Sequence, residues 1–157
     1  MATYEYRMVC RKLSDNTAPT INNPKEITEY LLANCYTPDE MWREKAFAVF
    51  LNKSNKITGH ILLSMGGLSS TPIDIRVLIK SALDIMAFSV ILTHNHPSGD
   101  PRPSSDDINQ TTKVKNALRV FDMNLLDHII VGDDTFFSFN EERIIAMPER
   151  NPQEKTS

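Results

Sequence analysis

A chain of 157 residues, 41% hydrophobic and 24% charged, is long enough for one domain with a real core and has the balance of an ordinary globular protein. A net charge of −3 exerts no overall pull towards nucleic acid or an anionic membrane. The two cysteines, Cys10 and Cys35, make no disulfide scaffold and read as free thiols; with no apolar run of membrane-spanning length and no signal-peptide core in Met-Ala-Thr-Tyr-Glu-Tyr-Arg, the expectation is a soluble cytoplasmic protein with no membrane contact.

Residues 4–13 alternate loosely and predict a first strand, followed by a polar loop to Asn22. Asn23-Pro24-Lys25-Glu26 is a helix start, with a cap residue, proline at N1 and glutamate at N3. Ile27, Tyr30 and Leu31 fall on one face of that helix. Cys35 to Trp42 reads as a connector. Glu44–Asn52 and Ile57–Ser64 read as strands joined by a hairpin at Asn52-Lys53-Ser54-Asn55, and Gly66-Gly67 ends the second. Thr71-Pro72-Ile73-Asp74 opens another helix, with Ile75, Leu78, Ile79, Ala82, Ile85 and Met86 as its expected buried stripe.

Phe88 to Thr93 is a near-continuous apolar strand, so it is expected to be covered on both faces. A helix is predicted from Ser104 to Asp122, with Val114, Leu118 and Phe121 on its apolar face. Leu125–Val131 and Thr135–Phe139 predict a closing hairpin across Gly132-Asp133-Asp134. Residues 148–157 read as a frayed tail. Strands interleaved with helices indicate an α/β domain with a mixed central sheet flanked by helices. The expected division is an N-terminal strand and helix extension over 1–38, a main domain over 39–147 and a flexible tail over 148–157.

The chemistry concentrates between Thr93 and Asp107. His94 and His96 are two apart at the end of the apolar strand, and residues i and i+2 of a strand face one side. Pro97, Gly99, Pro101 and Pro103 bend the chain so that Ser104 and Asp107, at the next helix start, can return to the imidazoles. Two histidines and one carboxylate form a catalytic zinc set that leaves a fourth position for water. Asp107 also suits the N3 position of a capping box with Ser104. Asp106 competes for the ligand role, but in a helix it points about 100° elsewhere.

His-x-His, seven residues, Ser, two residues, Asp resembles the JAMM signature of JAB/MPN metallopeptidase-like domains. The longer string His94-Asn-His-Pro-Ser-Gly-Asp-Pro-Arg-Pro-Ser104, with Leu125-Leu-Asp-His-Ile-Ile-Val-Gly132, resembles the RadC-like branch of that family, from about Glu44 to about Phe139. The resemblance implies a JAB/MPN (cytidine-deaminase-like) architecture, with zinc held by His94, His96 and Asp107 at one sheet edge. It implies that Glu44, before the strand Ala46–Asn52, is the general base, and that Ser104 donates to an oxyanion. Full-length RadC-like proteins carry a helical DNA-binding-type module ahead of the domain, which the short N-terminal segment here does not resemble.

Each role has a plainer alternative. Glu44 could pair with Arg43 or Lys45 at the surface, and Glu40 is a rival base. Ser104 could be a simple N-cap. Asp127 and His128 are adjacent in a strand, so one of them faces the site. His128 reads first as a core or edge histidine and second as a partner orienting a metal-bound ring. His60 has no local constellation. Lys113, Lys115 and Arg119 read as a solvated face.

The residues predict a zinc-dependent hydrolase, and the family resemblance adds an amide or isopeptide bond, attacked by metal-activated water, as the substrate. The alternative is a DNA-repair-associated accessory or protein-interaction module with a retained metal site. Against that reading stands a candidate base beside an incomplete ligand set, whereas structural zinc is closed by four protein ligands. A deaminase would need His-x-Glu and Cys-x-x-Cys spacing, absent here. Nucleic-acid binding and a homo-oligomer stay open.

Overall fold

Local sequence sets the elements that carry the site. The computed structural model describes residues 18–66 and 73–148. Asn23 caps helix α1 (Pro24–Asn34), its side chain accepting from the backbone of Lys25 and Glu26. Glu26 reaches back to the Asn22 amide at 2.7 Å, which closes the turn in capping-box fashion. Ile27 and Leu31 face inward as expected, and Tyr30 packs against the same core.

Strands β1 (Lys45–Leu51) and β2 (Ile57–Met65) form an antiparallel hairpin. Its turn is made by Asn52, whose side chain accepts from Ser54 and Lys56, and by Asn55 in the left-handed region at φ 56°, a conformation asparagine tolerates. Helix α2 (Ile75–Asp84) is capped by Asp74. Strand β3 (Ser89–Asn95) is buried throughout. Helix α3 (Ser105–Arg119) leads to β4 (Asn124–Val131), β5 (Thr135–Ser138) and β6 (Arg143–Ala146).

The six strands form one sheet in the order β2-β1-β3-β4-β5-β6. β3 and β4 are parallel, joined through α3, and the other neighbours are antiparallel. Both faces of β1 are covered. Phe47, Val49 and Leu51 pack on the α1 side, while Ala46, Ala48 and Phe50 pack on the side of α2 and α3. Period-two alternation thus sorts the strand into two cores, and the alanines make room for the helices.

The expected mixed α/β sheet is therefore present, with differences at element ends. Met86 follows the end of α2, sits in the left-handed region at φ 53° and is 84% exposed, because the helix has stopped at Asp84. Phe121 is also outside its helix and largely exposed. Strand β6 follows a turn the sequence did not flag. The strand expected over residues 4–13, the helix opening at Thr71-Pro72 and the tail beyond Pro148 lie outside the described residues. Among the described residues no helix is long and apolar enough to cross a membrane.

Cys35 closes α1 within the core, and burial pushes its thiol up to about 12. In a Cys10→Ser variant, which leaves Cys35 as the sole thiol, an aromatic disulfide reagent at pH 8 should react at least about 100-fold more slowly with native than with urea-unfolded protein. Equal rates would show that the α1 face is not packed as described.

Candidate metal centre

Strand alternation puts Val90, Leu92 and His94 on the face covered by α2 and α3, with Ile91, Thr93 and Asn95 facing α1. β3 ends at Asn95, but the His96 amide still donates to Val131 of β4 at 2.9 Å. The ladder therefore runs one residue further and holds His96 on the same side as His94. The chain then turns sharply. Gly99 takes φ +80°, and its amide donates to His96 O at 3.0 Å. The Gly99 carbonyl accepts from Asp133, and a Cβ on Gly132 would lie 2.3 Å from it. The loop after the histidines and the β4–β5 turn thus approach too closely for side chains at either glycine. The centre lies at the carboxyl end of β3, an interior strand, and not on an edge strand.

The bend delivers the start of α3. Ser104 Oγ accepts from the Asp107 amide at 3.1 Å, and Asp107 Oδ2 accepts from the Ser104 amide and hydroxyl at 2.7 Å each. Asp107 Oδ1 lies 3.0 Å from His94 Nε2, and Oδ2 lies 3.5 Å from His96 Nε2. The two imidazole Nε2 atoms are 2.9 Å apart. Tetrahedral ligands about 2.0–2.1 Å from zinc stand about 3.3 Å from one another, and these separations bracket that value. Capping and ligand direction coexist because the carboxylate divides them between its oxygens. Asp106 is exposed and lines the neighbouring cleft, but the cluster with the two imidazoles is made by Asp107.

Electrostatics fit a cation. Burial would raise Asp107, but its polar contacts with the His94 and His96 rings and the Ser104 hydroxyl outweigh it and hold the carboxyl well below its usual range. Burial would lower His96. Hydrogen bonds to Asp107 and to the Asp100 carbonyl, with the charges of Asp107 and Glu44, outweigh burial and raise it. The His96 Nδ1 proton is fixed, because its partner at 2.8 Å is the Asp100 carbonyl, which can only accept. Whenever that ring is neutral, it turns a lone pair inward beside a carboxylate. Converging acceptors repel unless a proton or a cation stands among them, so the donor set suits a metal ion. Among the described residues, His94, His96 and Asp107 form a group that could hold one.

Glu44 lines a cleft of about 650 Å³ with Ser104, Asp107, Asn109, Lys113 and Arg76. Lys113, expected on a solvated face, is part of that wall. Glu44 is positioned by its neighbours: Asn95 Oδ1 accepts from the Lys45 amide at 2.8 Å, while its Nδ2 donates to the carbonyls of Met41 and Arg43 at 3.0 and 2.9 Å. The residue between the two histidines, on the opposite face of β3, therefore clamps the backbone on both sides of Glu44. Glu40, the rival base, is engaged with Lys45 and Thr37.

Sequence reasoning missed Asn95 because a buried amide leaves no periodic mark. It also missed Thr111, although a residue four after Asp107 shares its helix face. Thr111 Oγ1 lies 2.6 Å from His128 Nδ1, and His128 Nε2 lies 2.8 Å from His94 Nδ1. His128 is fully buried. Asp127 faces the other way and accepts from Ser138, Asn140 and the His128 amide. His60 pairs with Tyr30 at 2.7 Å, outside the centre.

Asn95→Ala removes three hydrogen bonds, one buried and two partly buried, and strands their backbone partners. It should cost about 2–4 kcal/mol in urea unfolding. A loss under about 0.5 kcal/mol would mean that the clamp on Glu44 is not formed.

The family model for the RadC-like JAB domain matches residues 21–144. The chain is similar to the UPF0758 protein of Chlorobium luteolum, 38% identical over 131 residues, covering 83% of this chain and 57% of the relative. It is similar to that of Carboxydothermus hydrogenoformans, 35% identical over 122 residues, covering 78% and 53%. With that of Porphyromonas gingivalis it shares 42% identity over 108 residues, covering 68% and 45%. The chain thus spans about half the length of the curated relatives it matches. With that match across most of its length, and with the His94, His96 and Asp107 cluster inside it, the chain belongs to the RadC-like JAB domain family.

Proposed function

We propose that this protein is a zinc-dependent hydrolase, with His94, His96 and Asp107 as the metal ligands and an amide or isopeptide bond as its target. One observation carries the reading: two imidazole nitrogens and a carboxylate converge within 4.8 Å, and the residue that supplies the carboxylate, Asp107, lines a cleft together with Glu44. Three ligands of this kind leave a position for substrate or water, unlike a closed structural site. The bond type rests on family resemblance, not on a feature of the cleft.

When bound, zinc supplies Lewis-acid polarisation and makes water acidic enough to lose a proton near neutrality. Glu44 would accept a proton from the attacking water and return it to the leaving nitrogen, a role a single carboxylate can play in both directions. Asn95 keeps Glu44 in place by holding the backbone before and after it. Ser104 has two roles in sequence. Its amide and hydroxyl secure Asp107, and the amide alone retains the carboxylate when the hydroxyl rotates to donate to the substrate oxyanion.

Purified protein should bind about one zinc per chain, and His96→Ala should lose it by elemental analysis. Protein that takes up no zinc under saturating conditions would end the metal reading. Glu44→Gln should keep zinc and thermal stability but slow hydrolysis of a peptide and isopeptide library by at least about 100-fold. Hydrolysis that survives Glu44→Gln would remove Glu44 from the base role. A partner or DNA retained equally by wild type and Glu44→Gln, with neither hydrolysing anything, would favour the accessory module instead.

A further inference from the structure

Behind His94, a buried line of polar groups runs away from the cleft through His128 to Thr111. We infer that Thr111 and His128 are positioning residues that hold His94 with its proton on Nδ1, so that Nε2 faces the centre as a lone pair. The consequence for metal binding rests on the reading above, but the geometry of the relay does not.

The direction follows from counting protons. Thr111 Oγ1 lies 2.6 Å from the Asp107 carbonyl oxygen and 2.6 Å from His128 Nδ1. A hydroxyl has one proton to give. The carbonyl has none, and two oxygens at that distance repel without a proton between them, so the hydroxyl donates to Asp107 O. This is the common i to i−4 bond of a helical threonine. His128 Nδ1 must therefore bring its own proton to Thr111 Oγ1.

His128 is fully buried, with Phe139 stacked on its ring at 4.9 Å and 9°. Among the described residues its ring nitrogens meet Thr111 and His94, neither a carboxylate; a ring so buried and so partnered stays neutral, so its Nε2 is a lone pair. The contact of 2.8 Å with His94 Nδ1 then requires the proton to sit on His94. Each step fixes the next, and the series ends with His94 Nε2 as an acceptor beside Asp107 Oδ1. His96 reaches the same state by a shorter route, through the Asp100 carbonyl. Both ligand rings are thus set in the tautomer that a metal requires, each by a different backbone carbonyl at the end of its line. Asp107 supplies its carboxylate to the centre and its carbonyl to the relay, so the docking of α3 determines both.

Metal-bound histidines commonly donate their second N–H to an oriented acceptor, and loss of that acceptor weakens metal binding by about 10–100-fold. In Thr111→Val the shape is kept and the acceptor for His128 Nδ1 is removed. The His128 proton then moves to Nε2, and the His94 proton is displaced to the atom that should ligate.

The test uses the full 157-residue chain with nitrogen-15 histidine. In metal-free wild type, long-range proton–nitrogen correlation should show His94 protonated on Nδ1. In Thr111→Val it should show the proton on Nε2, and zinc affinity by chelator competition should fall by about 10–100-fold. Thr111→Ser should restore both. Wild-type His94 protonated on Nε2 would overturn the relay without any variant. So would Thr111→Val with an unchanged tautomer and zinc affinity within about twofold of wild type, even if its melting temperature falls. Wild type that binds no zinc would overturn the metal reading but leave the relay to be judged by the tautomer alone.

Discussion

A single carboxylate couples the strand and helix that make this centre. Asp107 closes the first turn of α3 through Ser104 and presents its other oxygen to His94. A helix turns by about 100° per residue, so starting α3 one residue earlier or later would swing the carboxylate away from the imidazole and undo the capping box as well. Helix phase and ligand direction are therefore one constraint. It is satisfied by the path of the loop from His96 to Ser104, in which Gly99 packs closely against Gly132 and Asp133.

That arrangement places an unusual amount of polarity inside the protein. His94, Asn95, Asp107, Asp127 and His128 are all buried, and burial without partners would be costly for each. The solution is complete pairing in separate layers. Asn95 satisfies the backbone leading into β1, Asp127 satisfies the turn after β5, and His128 spans the gap between β4 and α3. None of these groups competes for the same donors, so each can rigidify its own segment. The candidate ligands then sit on a framework that holds their neighbours in place, a condition that precise metal and catalytic geometry requires.

The parts legible in the sequence were those with a period or a spacing. Apolar runs marked β1, β3 and β4, asparagine with proline marked the start of α1, and the i, i+2 histidines announced a shared direction. Residues whose importance lies in contacts across the sheet left no such trace. His128 is level with Leu92 on the parallel neighbour of β3, a register that exists only once α3 has carried the chain across. Asn95 lay in plain view between the histidines, yet its partners are fifty residues upstream. The exposed Met86 and Phe121 show the opposite failure, in which a helical period was extended past the point where the helix stops.

Mixed strand direction explains why the centre can be served from two sides. β1 runs antiparallel to β3, so its beginning, where Glu44 is held, lies beside the end of β3 that carries the histidines, with Ala46 opposite His94. β4 runs parallel to β3, so its own later residues rise alongside, with Ile130 level with His94 and His128 two residues below. An all-parallel neighbourhood would put the start of β1 at the far end of the sheet. An all-antiparallel one would remove the crossover that brings Asp107 and Thr111 over the imidazoles. The antiparallel side delivers the proposed base to the cleft, the parallel side delivers the orienting ring to the interior, and the crossover helix closes the ligand set between them. All of these residues fall within the stretch matched by the RadC-like JAB domain, so this topology contains every group on which the proposed chemistry depends.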